Sequence, residues 1–245
     1  MLAETMLQID NVVAGYGKKE VLRGVSVSVR SGELLALIGP NGSGKSTLLK
    51  VACGALKPRS GNVMLAGQSV TATALHKRVR LGLSYFTQGG PVFPSLTVAE
   101  NIRVAAAGTR RLPFDDALDL VLSTFPVLAD RLKIRAGLLS GGQRQMLALG
   151  MVLVHRPQVL LLDEPSAGLS PGLAREIMAT VRTLGITIVL VEQRVREALE
   201  IADRAIILVN GKLAAETDEP QDWLTDGAIE PFFFGGSSRQ TPVPR

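Results

Sequence analysis

A glycine-rich stretch that carries a lysine and several hydroxyl groups is the strongest chemical signal in the chain. It reads Gly39-Pro40-Asn41-Gly42-Ser43-Gly44-Lys45-Ser46-Thr47 and lies between an apolar run, Leu34–Ile38, and residues 48–52, which have helical character. This spacing binds phosphate when it lies between a strand and a helix. Glycines let successive backbone N–H groups point at one anion, and the helix adds its positive N-terminal end. An ordinary glycine-rich turn is the alternative, but the flanking elements favour a nucleotide-phosphate site.

The side chains of this loop suggest separate roles toward a bound nucleotide. Lys45 is placed to reach the β- and γ-phosphates, and the hydroxyl of Ser46 to ligate Mg²⁺. Thr47 is placed to contact the α-phosphate. The other residues expected to line the cradle are Gly39, Asn41, Gly42 and Gly44.

Two carboxylates follow a second apolar run, at Asp163 and Glu164. A continuous apolar run of this length is typical of a fully buried parallel strand. The acids at its carboxyl end are therefore expected to face the phosphate loop on a neighbouring strand. Asp163 would hold the Mg²⁺ shell, usually through water, and Glu164 would act on the attacking water as general base.

Three further positions leave a choice open when they are considered alone. Ser140 precedes two glycines and a helical pattern, which fits either an ordinary helix cap or a second anion-binding helix end. Gln88 follows the predicted strand Leu83–Phe86, where ligands bind in open α/β sheets, and it also fits a surface loop. Tyr16 lies in a predicted turn at 14–17 and could pack on the sheet or stack on a flat heterocycle.

The remaining patterns predict the elements that position these residues. Alternating apolar residues indicate strands at 5–13 and 21–30, and Asn210-Gly211 predicts a hairpin turn. Strand signals are absent between about 89 and 155, where we expect a helical subdomain inserted into an α/β core. Its predicted helices span 97–107, 115–125 and 127–132, with Thr97 and Asp115 as N-caps, and a longer helix follows Ser140.

Composition limits the classes of protein that this chain can represent. Of 245 residues, 46% are hydrophobic and 20% charged, and no apolar run is long enough to cross a bilayer. The net charge of +5 comes from scattered basic residues, and only 4% of residues are aromatic, so we expect a solvated basic surface and no nucleic-acid partner. A single cysteine, Cys53, and the lack of a secretory signal indicate the reducing cytoplasm.

Taken in order, the motifs resemble those of the ATP-binding-cassette ATPases over residues 5 to about 225. The phosphate loop and Gln88 are followed by Leu139-Ser140-Gly141-Gly142-Gln143, which separates this family from other phosphate-loop proteins, and then by Leu160-Leu161-Leu162-Asp163-Glu164-Pro165. Residues 88–101, 164–171 and 191–194 also look like the ATP-binding subunit of branched-chain amino acid importers.

The resemblance implies a phosphate-loop NTPase (RecA-like) α/β core with an N-terminal antiparallel β subdomain and an inserted helical subdomain. A single domain would span 1–235, with the core at 1–88 and 156–225, the helical subdomain at about 89–155 and a disordered tail at 236–245. ATP and Mg²⁺ would be the ligands. The chain would pair with an identical or related second cassette at the cytoplasmic face of the membrane, bind integral permease subunits, and act indirectly with a solute-binding protein.

The resemblance also implies residue roles. Tyr16 would stack on adenine, and Gln88 would sense Mg²⁺ and the γ-phosphate and relay occupancy to a membrane partner. Ser140, Gly142 and Gln143 would contact the γ-phosphate bound by the other cassette, because family members sandwich two ATP molecules between paired copies.

Two departures from the family pattern bear on catalysis. Gln193 stands where most members have a switch histidine, and its amide can hydrogen-bond a phosphate but cannot shuttle a proton. Ser170 stands where an aspartate is expected, which weakens contact across the cassette pair. The competing functions are a cassette for another cargo, such as urea or amide import or lipid export, and a soluble cassette protein outside transport.

Overall fold

The computed structural model describes residues 4–87, 89–90, 92–108, 112–224 and 229–233. The predictions made for Gln88 and for the tail at 236–245 lie outside these residues. The described strands are β1 (Thr5–Tyr16), β2 (Lys19–Arg30), β3 (Leu34–Ile38), β4 (Ser60–Leu65), β5 (Gln68–Ser69), β6 (Leu83–Phe86), β7 (Val159–Asp163), β8 (Thr187–Val191), β9 (Arg204–Val209) and β10 (Lys212–Thr217). The described α-helices are α1 (Lys45–Cys53), α2 (Leu75–Arg80), α3 (Val98–Ala107), α4 (Phe114–Thr124), α5 (Gly141–Leu153), α6 (Pro171–Thr183), α7 (Val195–Ile201) and α8 (Glu230–Phe233).

The N-terminal strands form an antiparallel sheet in the order β2-β1-β4-β5. Both predicted strands are present, but β1 runs on through Tyr16, so the predicted turn at 14–17 is too early and the chain reverses at Gly17. Gly15 makes the extension feasible, because a Cβ there would lie 2.0 Å from the carbonyl oxygen of Lys19 on the facing strand.

A six-stranded sheet in the order β10-β9-β3-β8-β7-β6 forms the centre of the molecule. Its strands are parallel except at the edge, where β9 and β10 form the predicted hairpin with Asn210 and Gly211 at positive φ. The expectation that the acid-bearing strand neighbours the phosphate-loop strand is wrong, because β8 lies between β3 and β7 and pairs with both. Apolar runs of similar composition do not encode their order in a sheet.

Alternate residues of the parallel strands pack into two different cores. Leu35 and Leu37 face the core shared with α1 and the antiparallel sheet, where Cys53 is fully buried. Ala36 and Ile38 face the opposite core, which contains the buried sides of α3–α6. This alternation gives each face of the parallel sheet its own core. Because α1 packs in the core that both sheets share, α1 and the phosphate loop before it lie between the two sheets. Within the described ranges, no helix is both long and apolar enough to cross a membrane.

The segment between β6 and β7 is helical, as the absence of strand signals predicted. Its described backbone pairing of β type is one isolated bridge, between Thr97 and Arg135. Thr97 caps α3 with a complete capping box, as predicted. The predicted Asp115 cap is wrong, because α4 begins at Phe114 after Pro113, and Asp115 lies in the first turn, where its charge favours the helix dipole. Residues predicted as a helix at 127–132 form a 3₁₀ helix, Pro126–Arg131.

A buried arginine that the sequence did not single out closes the far end of α1. The side chain of Arg78 is 1% exposed and donates to the backbone oxygens of Val51, Ala52 and Thr73 at 2.6–2.9 Å. Its charge therefore lies at the C-terminal end of α1, where the helix dipole favours a cation. Burial lowers the pKa of the Arg78 guanidinium from its ordinary value. This contact holds the helix whose other end forms the phosphate loop.

Candidate active site

The phosphate loop connects β3 to α1 in a conformation that requires glycine. Gly39 has φ +145°, and a Cβ there would lie 2.1 Å from the carbonyl oxygen of Leu208. Gly44, at φ +113°, is the N-cap of α1, and no side chain caps this helix end. The first backbone N–H groups of a helix have no partner within it, so they remain available to an anion. The β9–β10 hairpin supports the loop from behind, since the N–H of Gly211 donates to the oxygen of Ser43 at 2.9 Å.

Lys45 is held inside this loop by the loop's own backbone. Its Nζ donates to the oxygens of Gly39 and Pro40 at 2.7 and 3.0 Å, and the residue is 7% exposed. Burial lowers the pKa of the Lys45 ammonium, while the charges of Glu164 and Asp163 oppose that shift. The ammonium places a positive charge beside a helix start that already favours anions.

Ser46 and Asp163 meet although 117 positions separate them in the chain. The Ser46 hydroxyl donates to Oδ1 of Asp163 at 2.9 Å, and Asp163 is 6% exposed. The other oxygen, Oδ2, accepts from the hydroxyl of Tyr85 at 2.9 Å. Burial and the Asp163 carboxylate raise the pKa of Tyr85, so the phenol stays protonated as a donor. Sequence reasoning missed Tyr85, because an aromatic residue in a buried strand gives no signal of a polar role.

These oxygens suit Mg²⁺ rather than a softer metal. Mg²⁺ uses one or two protein oxygens and completes its shell with water and substrate phosphates, which fits a hydroxyl and a carboxylate beside a phosphate loop. Among the described residues there is no cluster of three or more His, Cys, Asp or Glu side chains that could form a dedicated metal cage.

Replacing Tyr85 by Phe is expected to raise, by about tenfold, the Mg²⁺ concentration that gives half the maximal rate of the ATP hydrolysis implied by the resemblance. Residues that orient a metal ligand typically contribute 10–100-fold to metal affinity, and Tyr85 fixes one oxygen of Asp163. The measurement is a Mg²⁺ titration at saturating ATP. Ser84→Ala is the matched control, because it removes a buried hydroxyl from the same strand that has no described partner. Equal Mg²⁺ dependence of the two variants would contradict a role for Tyr85.

Glu164 is held in an unusual backbone conformation next to Gln193. Its φ is +53°, which is uncommon for a residue other than glycine and often marks a functional site. The amide Nε2 of Gln193 lies 3.0 Å from both carboxylate oxygens of Glu164 and donates to them. The structure therefore joins the expected general base to the residue at the switch position. Glu164 is half-buried and Gln193 is exposed, so both are accessible to a bound nucleotide and water.

The other predicted helix end, at Ser140, is capped by side chains of its own first turn. Ser140 and Gln143 make a reciprocal capping box with both distances at 3.2 Å, and Gly142 packs so closely on α6 that a Cβ would lie 1.8 Å from Leu173. In the described part of the chain, no hydrogen bond joins this helix end to the phosphate loop. The two glycine-rich helix starts are therefore separate within one copy.

Tyr16 lies at the end of β1, and the residue is 48% exposed. Nζ of Lys50, on α1, is 5.9 Å from the ring centroid. Nη2 of Arg59 donates at 2.7 Å to the oxygen of Gly17, in the turn that follows Tyr16. Tyr16 therefore lies beside α1, the helix that starts at the phosphate loop.

Comparison with known proteins gives consistent results for sequence and structure. Residues 22–167 match the family described as "ABC transporter". The chain is 39% identical over 234 residues to the high-affinity branched-chain amino acid transport ATP-binding protein BraG of Pseudomonas aeruginosa, covering 94% of this chain and 100% of that protein. It is 43% identical over 213 residues to LivF of Archaeoglobus fulgidus, a probable branched-chain amino acid transport ATP-binding protein, covering 85% and 90%.

An export protein and a solved cassette are also similar. The lipopolysaccharide export system ATP-binding protein LptB of Acidithiobacillus ferridurans is 33% identical over 235 residues, covering 94% of this chain and 97% of that protein. The crystal structure of an ABC transporter cassette in its ADP conformation has a TM-score of 0.82 and 29% identity, covering 93% of this chain and 98% of that one.

Proposed function

The chain belongs to the ABC transporter family, and we propose that it powers an importer of branched-chain amino acids or a related small polar solute. ATP binding and hydrolysis are properties of the family's cassette. The cargo and the import direction are our proposal. The observation that carries it is 39–43% identity to BraG and LivF, two proteins named for branched-chain amino acid transport, over most of the chain.

We propose that the nucleotide binds along α1. Tyr16 stacks on adenine, Lys45 neutralises the β- and γ-phosphates, and Thr47 contacts the α-phosphate. The backbone at Gly39, Asn41, Gly42 and Gly44 lines the cradle. Support comes from the free N-terminus of α1 and from the buried ammonium of Lys45 between two backbone oxygens.

For hydrolysis, the residues beside the phosphates divide the work. Glu164 accepts a proton from water as the water oxygen bonds to the γ-phosphorus and the bond to the β-phosphate oxygen breaks, which yields ADP and phosphate. Gln193 orients the Glu164 carboxylate, as its two 3.0 Å contacts suggest. Ser46 and Asp163 would hold the Mg²⁺ ion, and the resemblance adds Gln88 as a third residue. When bound, the ion would supply positive charge that offsets the charge of the phosphate oxygens.

A second cassette, identical or related, is the proposed cytoplasmic partner. Ser140, Gly142 and Gln143 would contact the γ-phosphate on that cassette, because the helix end they form does not meet the phosphate loop of its own copy. The hydrogen bond from the N–H of Gln143 to the Ser140 hydroxyl caps this helix end from within the chain itself. ATP then stabilises the pair by binding both surfaces at once.

We propose that the chain works at the cytoplasmic face of the membrane, bound to integral permease subunits. Gln88 and the helical segment between β6 and β7 would receive those subunits, and a solute-binding protein would act on the far side of the permease. We expect no nucleic-acid partner, because the basic residues are scattered and few aromatic residues are available to stack on bases. Lipid export is the second candidate, favoured by 33% identity to LptB. Gln193 argues against it, since a switch histidine is expected in that group.

The test of this function is to identify what accompanies the tagged chain when native membranes are extracted in mild detergent. Permease subunits and a cassette are expected with the tagged chain and absent from an untagged control. Strains lacking the chain are then assayed for uptake of labelled leucine and labelled urea, with rescue by wild type but not by Glu164→Gln. Recovery from the soluble fraction without a membrane partner would contradict a transport role. Unchanged leucine and urea uptake would contradict the import proposal.

A further inference from the structure

Glu192 is a buried carboxylate for which the mechanism above gives no role. It lies directly after β8 and before Gln193, and it is 2% exposed. Its Oε1 accepts the backbone N–H of Ser166 at 2.9 Å. Burial raises the pKa of the Glu192 carboxyl. Hydrogen bonds from Ser166 and from the backbone N–H groups of Gln193 and Arg194 oppose that rise. A buried carboxyl is costly unless it is well hydrogen-bonded, so its contact with Ser166 needs an explanation.

Ser166 belongs to the loop of residues 164–170, which connects the acid-bearing strand β7 to α6. Several contacts hold this loop besides that of Glu192. Gln145 on α5 donates from Nε2 to the oxygen of Pro165 at 2.6 Å. Arg194 donates from Nη2 to the oxygen of Leu169 at 2.8 Å. The 164–170 loop is thus fixed to the body of the protein on both of its sides.

The short segment of residues 191–193, which includes Gln193, makes three contacts with the start of the 164–170 loop. The Glu192 carboxylate accepts the N–H of Ser166, and the Gln193 amide donates to the Glu164 carboxylate. The backbone adds a third link, because the N–H of Glu164 donates to the oxygen of Val191 at 2.9 Å. Residues 191–193 therefore hold residues 164 and 166 together, which sets Glu164 relative to Gln193 despite its strained φ.

We propose that Glu192 is a positioning residue for ATP hydrolysis. Through the N–H of Ser166 it keeps the 164–170 loop in register with Gln193, so that the Glu164 carboxylate faces the attacking water. The inference rests on the proposed role of Glu164 as general base. An error in the geometry of about 1 Å at a reacting group can cost 10²-fold in rate, so a carboxylate that touches no substrate can still control kcat.

The experiment compares Glu192→Leu, Glu192→Gln and Glu33→Leu in the full chain. Leucine removes the acceptor for the Ser166 N–H, whereas glutamine keeps an acceptor oxygen and the size of the side chain. Glu33 is the matched control, because it is also a buried carboxylate. It forms an ion pair with Arg204, with 2.6 Å between the charged atoms, and takes no part in the candidate site. The measurements are kcat, KM for MgATP, ATP affinity, thermal unfolding, and hydrogen–deuterium exchange of peptides that cover 164–170.

We expect Glu192→Leu to lower kcat about 10- to 100-fold with KM and ATP affinity changed less than about threefold. Exchange of the Ser166 amide should become about tenfold faster, and Glu192→Gln should restore both quantities. Exchange in the 164–170 loop that stays at the wild-type rate in Glu192→Leu would overturn the proposal, and this readout does not depend on turnover. A kcat loss in Glu33→Leu as large as in Glu192→Leu would also overturn it, by assigning the effect to general destabilisation.

Results for variants of Glu164 and Glu192 distinguish the positioning role of Glu192 from the role of Glu164 as general base. Full activity in Glu164→Gln would remove Glu164 as the base, whatever Glu192 does. Loss of activity in Glu164→Gln together with wild-type kcat and exchange in Glu192→Leu would remove only the positioning role. In a double-mutant cycle, a residual rate in Glu164→Gln that Glu192→Leu does not lower further would support action through Glu164.

Discussion

Replacing Glu164 by Gln is expected to reduce steady-state ATP hydrolysis by about 10²- to 10⁴-fold while ATP still binds. General base catalysis contributes an effect of this size, and an amide cannot accept the proton of the attacking water. Glutamine has the size of glutamate and keeps an oxygen that can accept the hydrogen bond from Nε2 of Gln193. The structural change should therefore be small, so that the loss falls on kcat rather than on affinity.

The measurement is phosphate release at saturating MgATP, together with ATP affinity from equilibrium binding. Glu176→Gln is the matched control, because it neutralises an exposed carboxylate on α6 away from the site. The control should hydrolyse ATP at the wild-type rate. Undiminished hydrolysis in Glu164→Gln would remove Glu164 as the base. A loss of ATP affinity as large as the loss of kcat would instead assign Glu164 to binding.

Local chemistry made the parts of this site predictable, whereas their assembly depended on contacts distant in sequence. The phosphate loop can be recognised from sequence because glycine, lysine and serine must lie at fixed spacing between a strand and a helix. The helix cap at Ser140 is local in the same way, since Gln143 completes it within one turn. The position of β8 between β3 and β7 is not local, because it depends on which apolar runs pair.

The residues missed by sequence reasoning share a physical cause. Tyr85 and Glu192 lie in or beside buried strands, where their polar atoms gain meaning only from a partner on another segment. Arg78 is similar, because the carbonyl groups it caps belong to α1. One signal was available: a glutamate at the end of an apolar strand is costly to bury, and it directly precedes the departure from the family pattern at Gln193.

Replacing Lys45 by Ala is expected to weaken MgATP binding by about 100-fold or more. A hydrogen bond to a charged group contributes about 1.5–3 kcal/mol, and an ammonium that reaches two phosphates would make two of them. Its Nζ also donates to the oxygens of Gly39 and Pro40, so the variant leaves two loop oxygens without their donor. Burial lowers the pKa of Lys45, but the carboxylates of Asp163 and Glu164 favour the charged form that binds phosphate.

The decisive measurement is a MgATP titration by calorimetry, supported by thermal unfolding with and without nucleotide. At a MgATP concentration well above the wild-type Kd and below that of the variant, wild type should be stabilised far more than Lys45→Ala, because the stabilisation grows with the ratio of ligand concentration to Kd. Lys77→Ala is the control, since that exposed lysine lies on α2, which packs at the C-terminal end of α1 and so at the end opposite the phosphate loop. Unchanged affinity in Lys45→Ala would show that backbone N–H groups and the helix end suffice for phosphate binding, and the cradle would need no lysine.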